Sequence, residues 1–269
     1  MNYPKISIVT PSYNQAHFII DAIESIVIQK YPNFEHIIID NQSTDKTIEL
    51  LKGYKHLPYL KWISETDEGQ TDAINKGFKI ASGDIIAWLN ADDYYLPGTF
   101  EVVSEFFNRT QNYDILYGQC MLVDENKKKL RIKKEHIFDY GVLLYYGCYI
   151  PSTSTFLKRH IIDEGHFLDS TYRVTMDYEY YVRLSSIGYR FGFLPKTLAA
   201  FRWHKRNISV INSEKRREER LRVQHMYGFK ITSKYSIQTK LYDLAARFYR
   251  IKRWALISKG KFFIHGNSD

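Results

Sequence analysis

Two cysteines in 269 residues are too few for a disulfide framework. Cys120 and Cys148 lie far apart and show no metal-ligand or redox spacing, so both read as core thiols of a reducing compartment. No run of about 18 uninterrupted apolar residues occurs, which removes a membrane-spanning helix. Met1-Asn2-Tyr3-Pro4-Lys5 leads straight into a strand-like segment without the basic and apolar regions of a secretory signal, and the expected location is the cytoplasm. Glycine is sparse, 14 residues, and never falls in the Gly-x-Gly-x-x-Gly or P-loop spacings of nucleotide sites built on glycine loops. Acids are scarce in one region only. Residues 205–261 hold 16 Lys and Arg against 4 acids, whereas 1–204 hold 22 against 25. The net charge of +8 therefore sits in the last quarter, which points that quarter at something anionic.

What is present is an alternation. Lys5–Thr10 is a short β-branched run that reads as a buried strand, Phe34–Ile39 as a second, apolar strand, and Tyr59–Ile63 and Asp84–Leu89 as the third and fourth. Between them, 16–29, 44–51 and 71–81 carry apolar residues at helical spacing, with Thr44 or Asp45 able to cap the second helix. This β-α-β-α-β-α-β order in about ninety residues predicts an α/β fold: a mostly parallel, Rossmann-like sheet with helices on both faces. Ligands of such sheets bind beyond the carboxyl ends of the strands. The polar residues gather at those ends: Thr10–Asn14, Asp40–Asp45, Asp67–Gln70 and Asn90–Asp93. After Pro97 the spacing predicts a helix over 99–108, strands over 113–123, 129–133 and 152–157, a helix over 177–187, strands over 189–194 and 198–203, and a basic helical region from Ser213.

Five segments carry candidate chemistry, and each alone also reads as ordinary turn or cap chemistry. Trp88-Leu89-Asn90-Ala91-Asp92-Asp93 puts two carboxylates at a strand end, where hard oxygen ligands suit Mg2+ or Mn2+ bridging a diphosphate. Asp40-Asn41 ends the second strand, where side chains can read a base edge or a ribose. Asp67-Glu68-Gly69-Gln70-Thr71-Asp72-Ala73-Ile74-Asn75 is an acidic, glycine-containing entry to a helix. Asp177, at a helix start, can act as a general base. His204 ends a strand near the other groups; a lone histidine is as often structural.

In this order, from about Ile6 to His204, the segments resemble the family 2 glycosyltransferases, most specifically in 67–77 and 88–93 and most closely the branch that builds bacterial surface polysaccharides and glycolipids. The resemblance implies a GT-A fold over 1–204, with a nucleotide-binding half (1–97), an acceptor half (98–204) and a basic helical C-terminal extension (205–269). It implies inverting transfer from a UDP-, dTDP- or GDP-sugar to a glycan or lipid-linked acceptor. On that resemblance Pro11, Ser12, Tyr13, Asp40, Asn41, Asp67, Gln70, Asn75, Asn90, Ala91 and Asp92 bind the nucleotide-sugar. Asp92, Asp93 and His204 hold Mn2+ or Mg2+, and Asp177 is the catalytic base. Asn90, Asn41 and Met176 stand where the family often has acids.

Three other readings compete. A sugar-1-phosphate nucleotidyltransferase needs a glycine-rich, Arg-containing loop where this chain has Thr10-Pro11-Ser12-Tyr13-Asn14. A catalytically inactive sugar-binding relative would have no use for Asp92, Asp93 and Asp177 together. A nucleic-acid partner is not expected, because it leaves the acids at four strand ends unexplained. In the extension, Leu241, Leu244, Ala245, Phe248, Ile251 and Ala255 form an apolar stripe beside Lys240, Arg247, Arg250 and Arg253. The stripe either packs on the main domain or lies peripherally on an anionic membrane leaflet.

Overall fold

The computed structural model describes residues 3–208, 212–228 and 237–264, with side chains described over 244–258 of the last segment. The elements in chain order are β1 (Ile6–Ser12), α1 (Ile19–Val27), β2 (Phe34–Asp40), α2 (Thr47–Gly53), β3 (Leu60–Ser64), α3 (Gln70–Ile80), β4 (Ile85–Trp88), β5 (Tyr94–Tyr95), α4 (Thr99–Arg109), β6 (Ile115–Val123) and β7 (Lys129–Lys133). A π-helical turn at Val142–Tyr146 and a 3-10 turn at Ser152–Ser154 precede β8 (Thr155–Lys158), α5 (His160–Asp163), α6 (Met176–Ser186), β9 (Phe191–Arg202), α7 (Ser213–Tyr227) and α8 (Ile237–Ile264). The described strands form one nine-stranded sheet in the order β3-β2-β1-β4-β8-β6-β9-β5, with β7 paired to β6.

The first four strands are parallel. β8 then joins antiparallel to both β4 and β6, while β6 and β9 run parallel. One continuous sheet therefore carries both halves of the chain. Alternation along the strands feeds two cores. Ile6, Ile8, Ile85 and Ala87 face α1 and α4, through Ala22, Ile26, Phe100 and Val103. Val9, Ile86 and Trp88 face α3 and α6, through Ile74, Phe78, Tyr180 and Tyr181. Both faces are covered, as the unbroken apolar strands require. Gly77 allows the close approach of α3 to β1, because a Cβ there would lie 2.2 Å from Val9 Cγ1.

Several boundaries differ from the sequence expectation. β1 runs through Pro11 to Ser12, because the proline needs no N–H where it sits in the ladder. Asp45 caps α2 from two residues upstream, its Oδ1 accepting the Thr47 N–H at 2.9 Å. The two strands expected over 189–203 are one strand with register shifts. β5, the π-helical turn and α5 carry too little periodic pattern to be predicted.

At the amino-terminal edge of the sheet, Glu35 is 3% exposed and its Oε1 accepts from the Ser7 hydroxyl (2.6 Å) and from the Ser82 N–H (2.7 Å) and hydroxyl (2.8 Å). Lys5 and Lys61 face its other oxygen at 3.2 and 3.5 Å. Burial alone would raise this carboxyl, but those hydrogen bonds hold it down to about 2. A carboxyl depressed on folding stabilises the native state above its unfolded value and loses that contribution as pH falls through its folded value. Urea unfolding should therefore lose up to about 3 kcal/mol from this group between about pH 5 and pH 2, and Glu35→Gln should remove that part of the acid slope. Equal slopes in both proteins would contradict the assignment.

Candidate active site

The carboxyl ends of β1, β2 and β4 open onto one cleft of about 440 Å³. It lies where the strand order turns from β1 to β2 on one side and to β4 on the other, which is where open α/β sheets leave a crevice. Pro11, Ser12, Tyr13, Asn41, Asp67, Gln70, Asn90, Ala91, Asp92 and Asp177 all line it. Asp40, Asn75, Asp93 and His204 are not among the lining residues.

The walls are hydrogen-bonded to one another. Asn14, at φ 52°, turns its Oδ1 to accept from the Thr44 N–H (2.9 Å) and Asp45 N–H (3.3 Å), tying the loop after β1 to the loop after β2. The Asp67 N–H donates to Asn41 Oδ1 at 3.0 Å. Gly69, at φ 115°, receives a turn that brings Gln70 over the cleft, where its amide donates to Asn90 Oδ1 at 2.7 Å. Tyr13 stands at the mouth, 55% exposed.

The residues outside the lining hold the cleft from behind. Asp40 is fully buried and accepts from the Ser12, Ser43 and Ser64 hydroxyls and the Ser43 N–H, so its oxygens are spent on the strand ends. Asn75 bonds both ways to the backbone of Leu168, at 2.8 and 3.0 Å. Asp93 is fully buried, accepting from the Arg202 N–H (2.9 Å) and the Asn90 amide (3.2 Å). Burial and the charge of Asp92 push the Asp93 carboxyl well above its ordinary range. Asn90 suits this place better than an acid would, because its amide donates to Asp93 where a carboxylate would repel it.

Asp92 meets His204 Nε2 at 2.9 Å and Asn207 Nδ2 at 3.3 Å through one oxygen, Oδ2. The Arg206 N–H donates to His204 Nδ1 at 3.2 Å, so the proton between His204 and Asp92 is carried by Nε2. The ring stacks on Phe18 at 5.2 Å. In this arrangement His204 orients Asp92, and liganding a metal through Nε2 would set an Nδ1–H against the Arg206 N–H. Among the described residues no three His, Cys, Asp or Glu side chains form a ligand cluster. Asp92 Oδ1 makes no hydrogen bond among the described residues and belongs to a cleft-lining side chain. That fits a divalent ion of the kind held by one or two carboxylates and completed by substrate phosphate oxygens.

Asp177 opens α6, partly buried, with the Tyr178 N–H on its Oδ1 at 2.8 Å and Cys148 Sγ 3.9 Å from its Oδ2. Burial raises its carboxyl above the ordinary value, with Lys133 opposing. Arg202, Asn207, Arg173 and Glu219 also shape the site, and sequence reasoning gave none of them a role. Arg202 alone left a trace, as a charge closing the apolar run 198–201.

The sheet, with a cleft at the carboxyl ends of its parallel strands, has the layout of an α/β fold that binds its ligand at a switch in strand order. Residues 7–178 match the model described as Glycosyl transferase family 2, and the chain belongs to that family. The amylovoran biosynthesis glycosyltransferase AmsB of Erwinia amylovora is 28% identical over 211 residues, 72% of this chain and 68% of that one. A glycosyltransferase of Rickettsia bellii is 29% identical over 198 residues, and the match spans only 27% of that longer protein. Among solved structures, TarS 1–349 of S. aureus in complex with UDP superposes with a TM-score of 0.66 at 16% identity, over 97% of this chain and 75% of that one. The mannosyltransferase PcManGT of Pyrobaculum calidifontis, in complex with GDP-Man and Mn2+, gives 0.65 at 18% identity, over 100% and 77%. The fold is thus GT-A, with helices following the sheet at the C-terminal side.

Proposed function

We propose that the chain moves a sugar from a nucleoside-diphosphate sugar to a hydroxyl of a glycan or lipid-linked acceptor, with inversion at the anomeric carbon, in building cell-surface polysaccharide. The observation that carries this is that Asp92 and Asp177, 85 positions apart in sequence, line one cleft at the strand ends of a family 2 fold. The similarity to AmsB, and to structures holding UDP or GDP-Man, supports the donor class.

In this reading the loops after β1 and β2 take the nucleoside, with Tyr13 offering a ring face at the mouth. Asp92, oriented by His204 and Asn207, would hold Mn2+ or Mg2+, which supplies Lewis-acid stabilisation of charge on the departing diphosphate. Asp177 accepts the proton of the acceptor hydroxyl as that oxygen bonds to the anomeric carbon and the carbon–diphosphate bond breaks. A single base suffices for such a direct displacement. Because burial raises the Asp177 carboxyl, and only its ionised form accepts a proton, kcat/KM should fall as pH drops through a value above the ~3.9 of a free aspartate. Asp177→Asn should lower kcat about 10²–10⁴-fold with little change in donor KM. Release of nucleoside diphosphate from a panel of donors reads this directly. Pyrophosphate as the product would point to a nucleotidyltransferase, and no product from any donor to a binding relative.

The extension supports a membrane-facing role. α8 docks through Tyr249, stacked on Tyr145 at 5.3 Å, and through Arg253, paired with the buried Glu135 at 2.8 Å. Three residues of the stripe are turned outward: Leu244, Phe248 and Ile251 are 59–69% exposed, and Trp254, next to them, is 73% exposed, while Ala245 and Ala255 are half-buried. Arg247 and Arg250 are exposed beside them. Leu241 and Lys240 lie outside the residues whose side chains are described. No described helix is long and apolar enough to cross a membrane, and a rim of arginines around apolar side chains suits the surface of an anionic bilayer. Phe248→Ser/Trp254→Ser should lower sedimentation with phosphatidylserine or phosphatidylglycerol vesicles about tenfold or more while leaving the melting temperature unchanged. Equal sedimentation of the variant and the parent would contradict the surface.

A further inference from the structure

Gly69, Gln70, Arg173, Val174 and Ile208 line the cleft and, on their other side, a second cavity of about 330 Å³. This cavity runs on past Ser170 to Asn212 and Lys215, and Asn90, Asp92 and Asp177 do not line it. Arg173 stands at the junction. Its side chain is exposed and has no hydrogen-bond, ion-pair or ring partner among the described residues. The other cation there, Lys215, pairs with the exposed Glu218 at 3.3 Å and with no other acid among the described residues, and Glu68 is the one acid among the described lining residues.

The backbone that carries Arg173 is, in contrast, fixed. Glu219, on α7 and 2% exposed, accepts the N–H groups of Arg173, Val174 and Thr175, each at 2.9 Å, and the Thr175 hydroxyl at 3.1 Å. One buried carboxylate thus collects three successive N–H donors at the start of α6, the helix that opens with Met176 and Asp177. A negative charge there is also favoured by the helix dipole. The Arg173 backbone is held in place while its exposed guanidinium, with no protein partner among the described residues, keeps a planar fork of donors free for a planar or tetrahedral anion.

We propose that the second cavity is the outer subsite for the acceptor, and that Arg173 recognises a phosphate or carboxylate which the acceptor carries. Glu219 is then a positioning residue, setting Arg173 and the entry of α6 together. The inference rests on the transfer reading above. It assigns the donor diphosphate to the Asp92 end of the cleft and the acceptor's charge to the opposite side of the Gly69–Gln70 wall.

Calorimetric titration tests it. Inorganic phosphate, acetate and a sugar 1-phosphate are titrated into the full chain already saturated with nucleoside diphosphate and Mn2+. The proteins are the parent, Arg173→Met, Arg173→Lys and Glu219→Gln. Arg173→Met should weaken binding of at least one anion about tenfold or more, Arg173→Lys should restore part of the loss, and Glu219→Gln should fall between. The nucleoside diphosphate should bind all four within about twofold. A tenfold loss of nucleoside diphosphate affinity in Arg173→Met would move Arg173 to the donor and overturn the inference. So would anions that bind parent and Arg173→Met equally, or that fail to bind the parent at millimolar concentration. A parent that binds no nucleoside diphosphate would instead sink the transfer reading itself. Arg173 is exposed, so its variants keep the test independent of any folding defect in Glu219→Gln.

Discussion

The buried guanidinium of Arg202 joins three parts of the chain around the Asp92 side of the cleft. Its Nη2 meets Asp21 of α1 at 2.6 Å, its Nη1 donates to the Glu125 carbonyl beyond β6 at 2.7 Å, and its Nε donates to the Asp92 carbonyl at 2.8 Å. Its backbone N–H completes the set on Asp93, and its flat face lies 4.5 Å from the Phe18 ring centre. A charge 2% exposed is tolerable only when so fully partnered. The consequence is geometric. The Asp92–Asp93 turn, which follows a strand of the first half, takes its shape from the last strand of the second half. Asp93 faces inward to receive that strand, and Asp92 is left facing the cleft.

The same division recurs across the sheet. At the amino-terminal edge, Glu35 gathers hydroxyls and an N–H group from β1 and the turn after α3, which secures the sheet away from the cleft. At the carboxyl edge, Asp40 does similar work just behind the cleft. The carboxylates that remain facing the cavity are the ones whose neighbours cannot satisfy them fully. The C-terminal helices extend this plan, since α7 holds the start of the Asp177 helix through Glu219 and α8 reaches a buried acid through Arg253. The extension is therefore wired into the transfer domain on one face while presenting apolar side chains on the other.

The alternation of apolar runs with helical spacing made the parallel half of the sheet legible, because β1, β2 and β4 are buried on both faces and each helix on one, while β3 at the edge is largely exposed. The polar strand ends were legible for the same reason, since a charge directly after a buried strand has few places to go. Nine residues of those strand-end segments to which the family resemblance gave a role meet in the cleft, and Asp177, read at a helix start, joins them. Asp40, Asn75, Asp93 and His204 share their motifs but do not line the cleft, and direction is not written in spacing: the Asp93 carboxylate turns to the Arg202 N–H and the Asn90 amide, while that of Asp92 turns to His204 and Asn207. Arg173 and Glu219 were out of reach because their meaning lies in a contact across 44 to 46 positions, between a loop and a helix with no local pattern linking them. The second half of the sheet was read less well at its joins, where β9 continues through what reads as two strands.

The central proposal is that Asp92, placed by Arg202 and His204, would hold the divalent ion through which the chain binds a donor's diphosphate. Calorimetric titration of UDP, dTDP and GDP, each with and without Mn2+, into the parent and Asp92→Asn measures it most directly. One of the three should bind the parent about tenfold or more tightly with Mn2+ than without, and Asp92→Asn should lose that gain while keeping its fold. Binding that is indifferent to both the metal and the substitution, or absent for every nucleotide, would contradict the account.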